Sequence, residues 1–213
     1  MGYNHRMAEN REKYTHIINI KLIDSPKNVI SELKKLNKLL KQSELIQISF
    51  FNRAYLIVTK TINDANINGE FRHSELMNNL EVAFAKKYFM ALNYYVNNLS
   101  LPEPWDKVNE GLLHNKHPAS LSLLLGVNAH IRYDLLASLK DVIHEPGKFQ
   151  EDYFKVNKLL MKSAKPISKS YYESEEHINF LKNKLRDVYL KPVMWLIVSW
   201  RIKVWKEFIS KKT

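Results

Sequence analysis

Apolar residues recur at three- and four-residue intervals along most of the chain, the spacing that puts them on one face of a helix. After Asp24, Ser25 stands as an N-cap and Pro26 as a first helical residue. Val29, Ile30, Leu33, Leu36 and Leu40 then make an apolar stripe that continues to about Gln42, with Lys34, Lys38 and Lys41 on the outer face. The pattern predicts further helices over residues 45–66 (closing near Gly69), 74–98, briefly 104–115, 120–141, 149–164 and 175–211. The last is expected to kink at Pro192, and a loop from Lys165 to Ser174 precedes it. Residues 1–24 read differently, as an N-terminal extension that is partly disordered, with Ile18, Ile20 and Leu22 alternating as in a short strand. No long linker, repeat or low-complexity tract divides the remainder. Residues 25–213 are therefore expected to form one all-α domain, a single-domain helical bundle of six to eight helices.

The segment over residues 120–141 points apolar side chains in nearly every direction, so it is expected to be the buried central helix of the bundle. Its uninterrupted apolar run is too short for a membrane span. His130 and Asp134 are four residues apart and share a face, while Asn128 and Arg132 form a second such pair on the opposite side. Glycine inside a helix costs about 1 kcal/mol relative to alanine, which implies a packing reason for Gly126.

Charged and amide residues also interrupt stripes that should be apolar. Glu81 falls among Met77, Leu80, Phe84, Ala85, Tyr88, Leu92 and Tyr95. Arg201 falls among Met194, Ile197, Val198, Val204, Trp205 and Phe208, and Asn157 among Tyr153, Leu160 and Ala164. Arg53 lies at the edge of a face made by Ile46, Phe50, Ala54 and Ile57. An unpaired buried charge is too costly to be incidental. Glu81, His130, Asp134, Asn157 and Arg201 are therefore expected to converge inside the bundle, with Arg53 at the rim.

Three readings of that set stay open. It is a structural network that holds helix register; or a metal site on His130, Asp134 and Glu81, as in a metal-dependent hydrolase; or a metal-free pocket. In the pocket reading Arg201, Asn157, Arg53 and Asn128 contact a small anionic ligand, and His130, Asp134 and Glu81 carry the catalytic proton chemistry. No cofactor is named by the sequence; a divalent metal is the one that the donor set admits. The paired Glu-x-x-His of di-iron bundles is missing.

Composition narrows the classes. The 213 residues contain no cysteine, which excludes disulfides and thiolate chemistry. The net charge of +11 comes from scattered lysines and arginines, with no basic arm or helix-turn-helix pattern, so nucleic acid is not the expected partner. The polar N-terminus shows no apolar signal region, and a cytoplasmic location is expected. Walker A, G-x-G-x-x-G, G-x-S-x-G and H-E-x-x-H patterns do not occur. His114 and His117 precede Pro118 in a loop and read as surface histidines. Oligomeric state leaves no mark on the sequence.

Gly126-Val-Asn-Ala-His-Ile-Arg-Tyr-Asp-Leu135 resembles the G-x-N-A-H-I-x-x-D-L signature of an uncharacterised bacterial family, DUF5995. Phe51-Asn-Arg-Ala-Tyr55 with Thr59 resembles its early F-x-R-x-Y-x-x-x-T segment, and Phe84-Ala-Lys-Lys-Tyr88 its F-A-x-R-Y segment, with Lys87 in place of arginine. Asp152-Tyr-Phe-Lys-Val-Asn157 resembles its D-F-x-x-x-N segment, with Tyr153 in place of phenylalanine. The resemblance spans roughly residues 26–209 and implies a helical fold with these polar positions as family features, and no activity. The His-x-x-x-Asp spacing is also similar to that of the helical zinc-dependent phospholipase C and nuclease group, but the Pro-x-His of that group is missing between Leu135 and Lys140.

Overall fold

The computed structural model describes residues 19–40, 46–96, 105, 106, 108, 119–172 and 182–211. Among these residues the structure is all-helical, with six long helices and no strand. We number them α1 (Pro26–Leu40), α2 (Ile46–Ile67), α3 (Ser74–Val96), α4, α5 (Pro146–Tyr172) and α6 (Lys182–Ser210). Helix α4 runs without a break through Ala119–Ala129, a π-helical turn at His130–Leu135, and Leu136–Val142. No helix among the described residues is long and apolar enough to cross a membrane.

Local signals set most of the boundaries. The amide of Asn28 meets Ser25 Oγ at 3.4 Å, so Ser25 caps α1 and Pro26 opens it. Gly69 takes a positive φ of 73° just past α2, a conformation that glycine adopts without steric cost. The start of α3 is held from another helix. Asp152 of α5, completely buried, accepts the amides of Arg72 (3.0 Å) and His73 (2.8 Å) and faces His73 Nδ1 at 2.9 Å. Burial pushes the Asp152 carboxyl up, but these donors outweigh it and hold it below its usual value.

Helix α2 packs on α1, α5 and the first part of α4, while the π turn and the second part of α4 pack on α3 and α6. Two apolar clusters result. One joins α1, the first part of α2 and the second part of α3 with Trp105; the other joins the start of α3 and the second part of α4 to α5 and α6. Phe84 and Val127 pack against both clusters. Gly126 has the expected packing reason, since a Cβ there would lie 3.1 Å from Phe51 Cδ2.

Three expectations need correction. Ile20–Leu22 is a 3-10 turn rather than strand: Asn19 accepts from the Lys21 amide at 3.2 Å, and the Ile23 amide bonds back to Ile20 O at 3.3 Å. Ile18 lies outside the described residues. Helix α5 begins at Pro146, which suits a first helical position. It also continues through Pro166 to Tyr172, where a loop was expected, because Ile167 and Ser168 turn back onto the bundle. The central helix is not buried all round, since Arg132 and Tyr133 are exposed. The segments expected at 109–115 and 175–181, and His114 and His117, lie outside the described residues.

Pro166 is exposed, lacks an amide for the helix ladder and crowds the preceding turn. Pro166→Ala should therefore stabilise the protein by about 1 kcal/mol or more. Urea unfolding of the two proteins checks this, and an unchanged or lower midpoint would mean that the helix does not run through this residue.

Candidate functional site

The π turn of α4 carries the central pair, and such turns are rare and concentrate at functional sites. His130 Nδ1 lies 2.7 Å from Asp134 Oδ2, with both side chains buried. Trp105 Nε1, which can only donate, reaches the same carboxylate at 3.1 and 3.3 Å. Asp134 thus accepts from both neighbours. That places the His130 proton on Nδ1 and leaves Nε2 with its lone pair. Nε2 is buried without a hydrogen-bond partner among the described residues. Burial pulls the His130 pKa down against the raising effect of Asp134, so the ring is neutral at neutral pH.

Aromatic rings fix the imidazole in place. Phe84 of α3 stacks on it with centroids 3.6 Å apart and planes within 10°, and Tyr55 of α2 meets it edge-on at 4.7 Å. Phe51, Tyr88 and Trp105 complete the surround. Sequence reasoning missed these neighbours as partners of His130. The signal for two of the pairs was available: Phe51 and Tyr55, like Phe84 and Tyr88, are four apart on one face.

Glu81 sits just under one turn before Phe84 and is buried, its Oε1 without a partner among the described residues. Burial alone pushes its carboxyl from 4.5 to about 8, so it is protonated at neutral pH. Tyr55 feels the same surroundings. Burial first, then the carboxyls of Glu81 and Asp134, hold its phenol well above the usual value.

Arg201 of α6 is the second polar centre. Its Nε donates to Asn157 Oδ1 at 2.8 Å and its Nη2 to the Tyr153 carbonyl at 3.0 Å. The guanidinium lies over the Tyr153 ring, 4.4 Å from the centroid, and the Tyr153 hydroxyl donates to the Arg201 carbonyl at 2.7 Å. Burial lowers the Arg201 pKa, yet guanidinium remains charged in proteins. No carboxylate forms an ion pair with it among the described residues.

Tyr55, Glu81, Phe84, His130, Tyr153 and Arg201 line one cavity of about 130 Å³, whose remaining walls are mainly aliphatic. Of the expected set, Glu81, His130 and Arg201 therefore meet on one cavity wall. Asp134 stands behind His130, and Asn157 holds Arg201. Two residues fall outside. Arg53 is drawn off to α5, where Nη1 donates to the Ser170 carbonyl at 2.7 Å, and half-buried Asn128 does not line the cavity. Among the described residues no group of three or more His, Asp or Glu is arranged to hold a metal ion, so His130, Asp134 and Glu81 do not form a three-ligand site. The histidine nitrogen on Asp134 is already used.

The family model of DUF5995, a family of unknown function, matches residues 27–210. The chain belongs to DUF5995. No curated protein and no solved structure matches it. In this DUF5995 member, the segments that resembled the family signature gather at one place. Gly126 lets α4 approach Phe51, while Phe51, Tyr55, Phe84 and Tyr88 surround His130, and Asn157 holds Arg201. Asp152 does separate work at the α2–α3 corner.

Glu81 gives this DUF5995 protein a pH signature. Its folded pKa, about 8, exceeds the ordinary 4.5, so the folded state holds an extra proton between those values. Its contribution to stability is complete below the ordinary value and is lost as pH rises through the folded one, by at most about 1.4 kcal/mol per pH unit. Glu81→Gln should flatten that slope, so the variant gains on the parent between about pH 5 and about pH 9. Parallel urea titrations across that range give the answer; identical slopes would contradict it.

Proposed function

We propose that this DUF5995 chain is a small-molecule-binding protein whose internal cavity is the ligand site, and that His130 acts there as a general base. One observation carries the reading: His130 Nε2 and Glu81 Oε1, both buried and without partners among the described residues, belong to residues that line the same cavity. Buried polar groups are nearly always hydrogen-bonded, so two such atoms beside one cavity favour an occupant that supplies the missing bonds. Asp134 fixes the tautomer that a base needs, and the aromatic surround fixes the ring plane. Opposite perturbations support acid–base work. Burial keeps His130 neutral and able to take a proton, and keeps Glu81 protonated and able to give one.

The competing reading, a network that only stabilises the bundle, draws support from Arg201 and Asp134, each of which has neighbours serving its charge. Glu81 separates the two. As part of a network it would be destabilising to lose; as a ligand-facing group it is an uncompensated buried carboxyl. Glu81→Leu should raise stability by about 1 kcal/mol or more. In nitrogen-detected imidazole spectra, His130 should appear as the Nδ1–H tautomer, with small-molecule fragments shifting Nε2. A Glu81→Leu protein that is less stable, together with an Nε2 signal unmoved by any fragment, would sink the binding reading.

A further inference from the structure

Charge and size narrow what the cavity accepts, given the reading of it as a ligand site on which this step rests. Arg201 is the only lysine or arginine on the cavity wall among the described residues. Its guanidinium plane is immobilised from three sides: Asn157 holds Nε, the Tyr153 carbonyl holds Nη2, and the Tyr153 ring lies against its face. Nη1 donates no hydrogen bond to any described residue, so part of the rigid donor fork is unused. No described carboxylate neutralises it. A buried guanidinium without a counter-ion attracts an anion strongly, because low polarity around it weakens screening.

The neighbouring groups set the charge of that anion. His130 is neutral and Glu81 protonated at neutral pH, so the described residues of the cavity wall offer one positive charge and one fork. That matches a monoanion with a planar, two-oxygen head; a phosphoryl dianion would call for further cations. Volume limits the rest. A cavity of about 150 Å³ with apolar walls holds benzene, and this one measures about 130 Å³ with aliphatic and aromatic walls. We infer that the ligand is a compact organic monocarboxylate no larger than benzoate, its carboxylate on Arg201 and its apolar body against the remaining walls.

Calorimetric titration of the full chain with benzoate, benzamide, toluene and inorganic phosphate tests this. Benzoate should bind at least tenfold more tightly than benzamide or toluene, and phosphate should show no saturable binding. Arg201→Met should lose benzoate at least tenfold while keeping toluene, and Arg201→Lys, which keeps the charge without the planar fork, should fall between. If Arg201→Met does not fold, the ranking of the four probes on the unmodified chain decides by itself. Benzamide or toluene binding as well as benzoate would overturn the carboxylate and leave an apolar ligand site standing. Phosphate binding most tightly would overturn it in favour of a phosphoryl group. No binding by any probe would overturn both the ligand class and the cavity as a ligand site.

Discussion

A carboxylate can be buried only among donors, and Asp134 has two: the imidazole of His130 and the indole of Trp105. Much of the site follows from that arrangement. An ionised carboxylate can only accept, and the His130 proton is thereby assigned to Nδ1. The ring is then held with Nε2 unpaired among the described residues, at the junction where Phe84 packs against both apolar clusters. The π turn that carries the pair disturbs the helix ladder, and the Ser138 hydroxyl donates to the Asp134 carbonyl at 2.7 Å, serving one of its acceptors.

The cavity has two polar centres built on different logic. The first, on α2, α3 and α4, keeps its groups uncharged toward the cavity: a neutral histidine, a protonated glutamic acid and a phenol whose ionisation is suppressed. The second, on α5 and α6, keeps a permanent cation and holds it with an amide, a carbonyl and an aromatic face rather than a carboxylate. Neutral partners position a guanidinium without cancelling its charge. In surroundings of low polarity such preorganised groups act more strongly than in water.

The elements that sequence reasoning placed well are those decided by local periodicity. Glu81 and Arg201 sit inside apolar stripes, and the helix period alone was enough to expect them indoors; both are buried. Ser25, Pro26 and Gly69 mark their helix ends by backbone preferences that do not depend on distant contacts. Arg53 misled because it lies at the edge of its stripe, where a small rotation of the helix decides between cavity and neighbour. Here the Ser170 carbonyl takes it. Pro166 misled because its local cost was weighed without the packing of Ile167 and Ser168, which outweighs it.

The order of residues was enough to establish that the chain is helical, which faces are apolar and which polar residues must find partners. Those properties rest on side-chain spacing and on the cost of burying charge, both of which are local. The identity of those partners came from the packing of the helices. Trp105, distant in sequence from Asp134, completes its hydrogen bonds, and Asn157 rather than a carboxylate meets Arg201. Periodicity assigns a residue to a face but not to a depth or a neighbour, and it cannot register a one-turn widening such as the π turn at His130–Leu135. Those details depend on how six helices share space, and that is where the cavity and its charge come from.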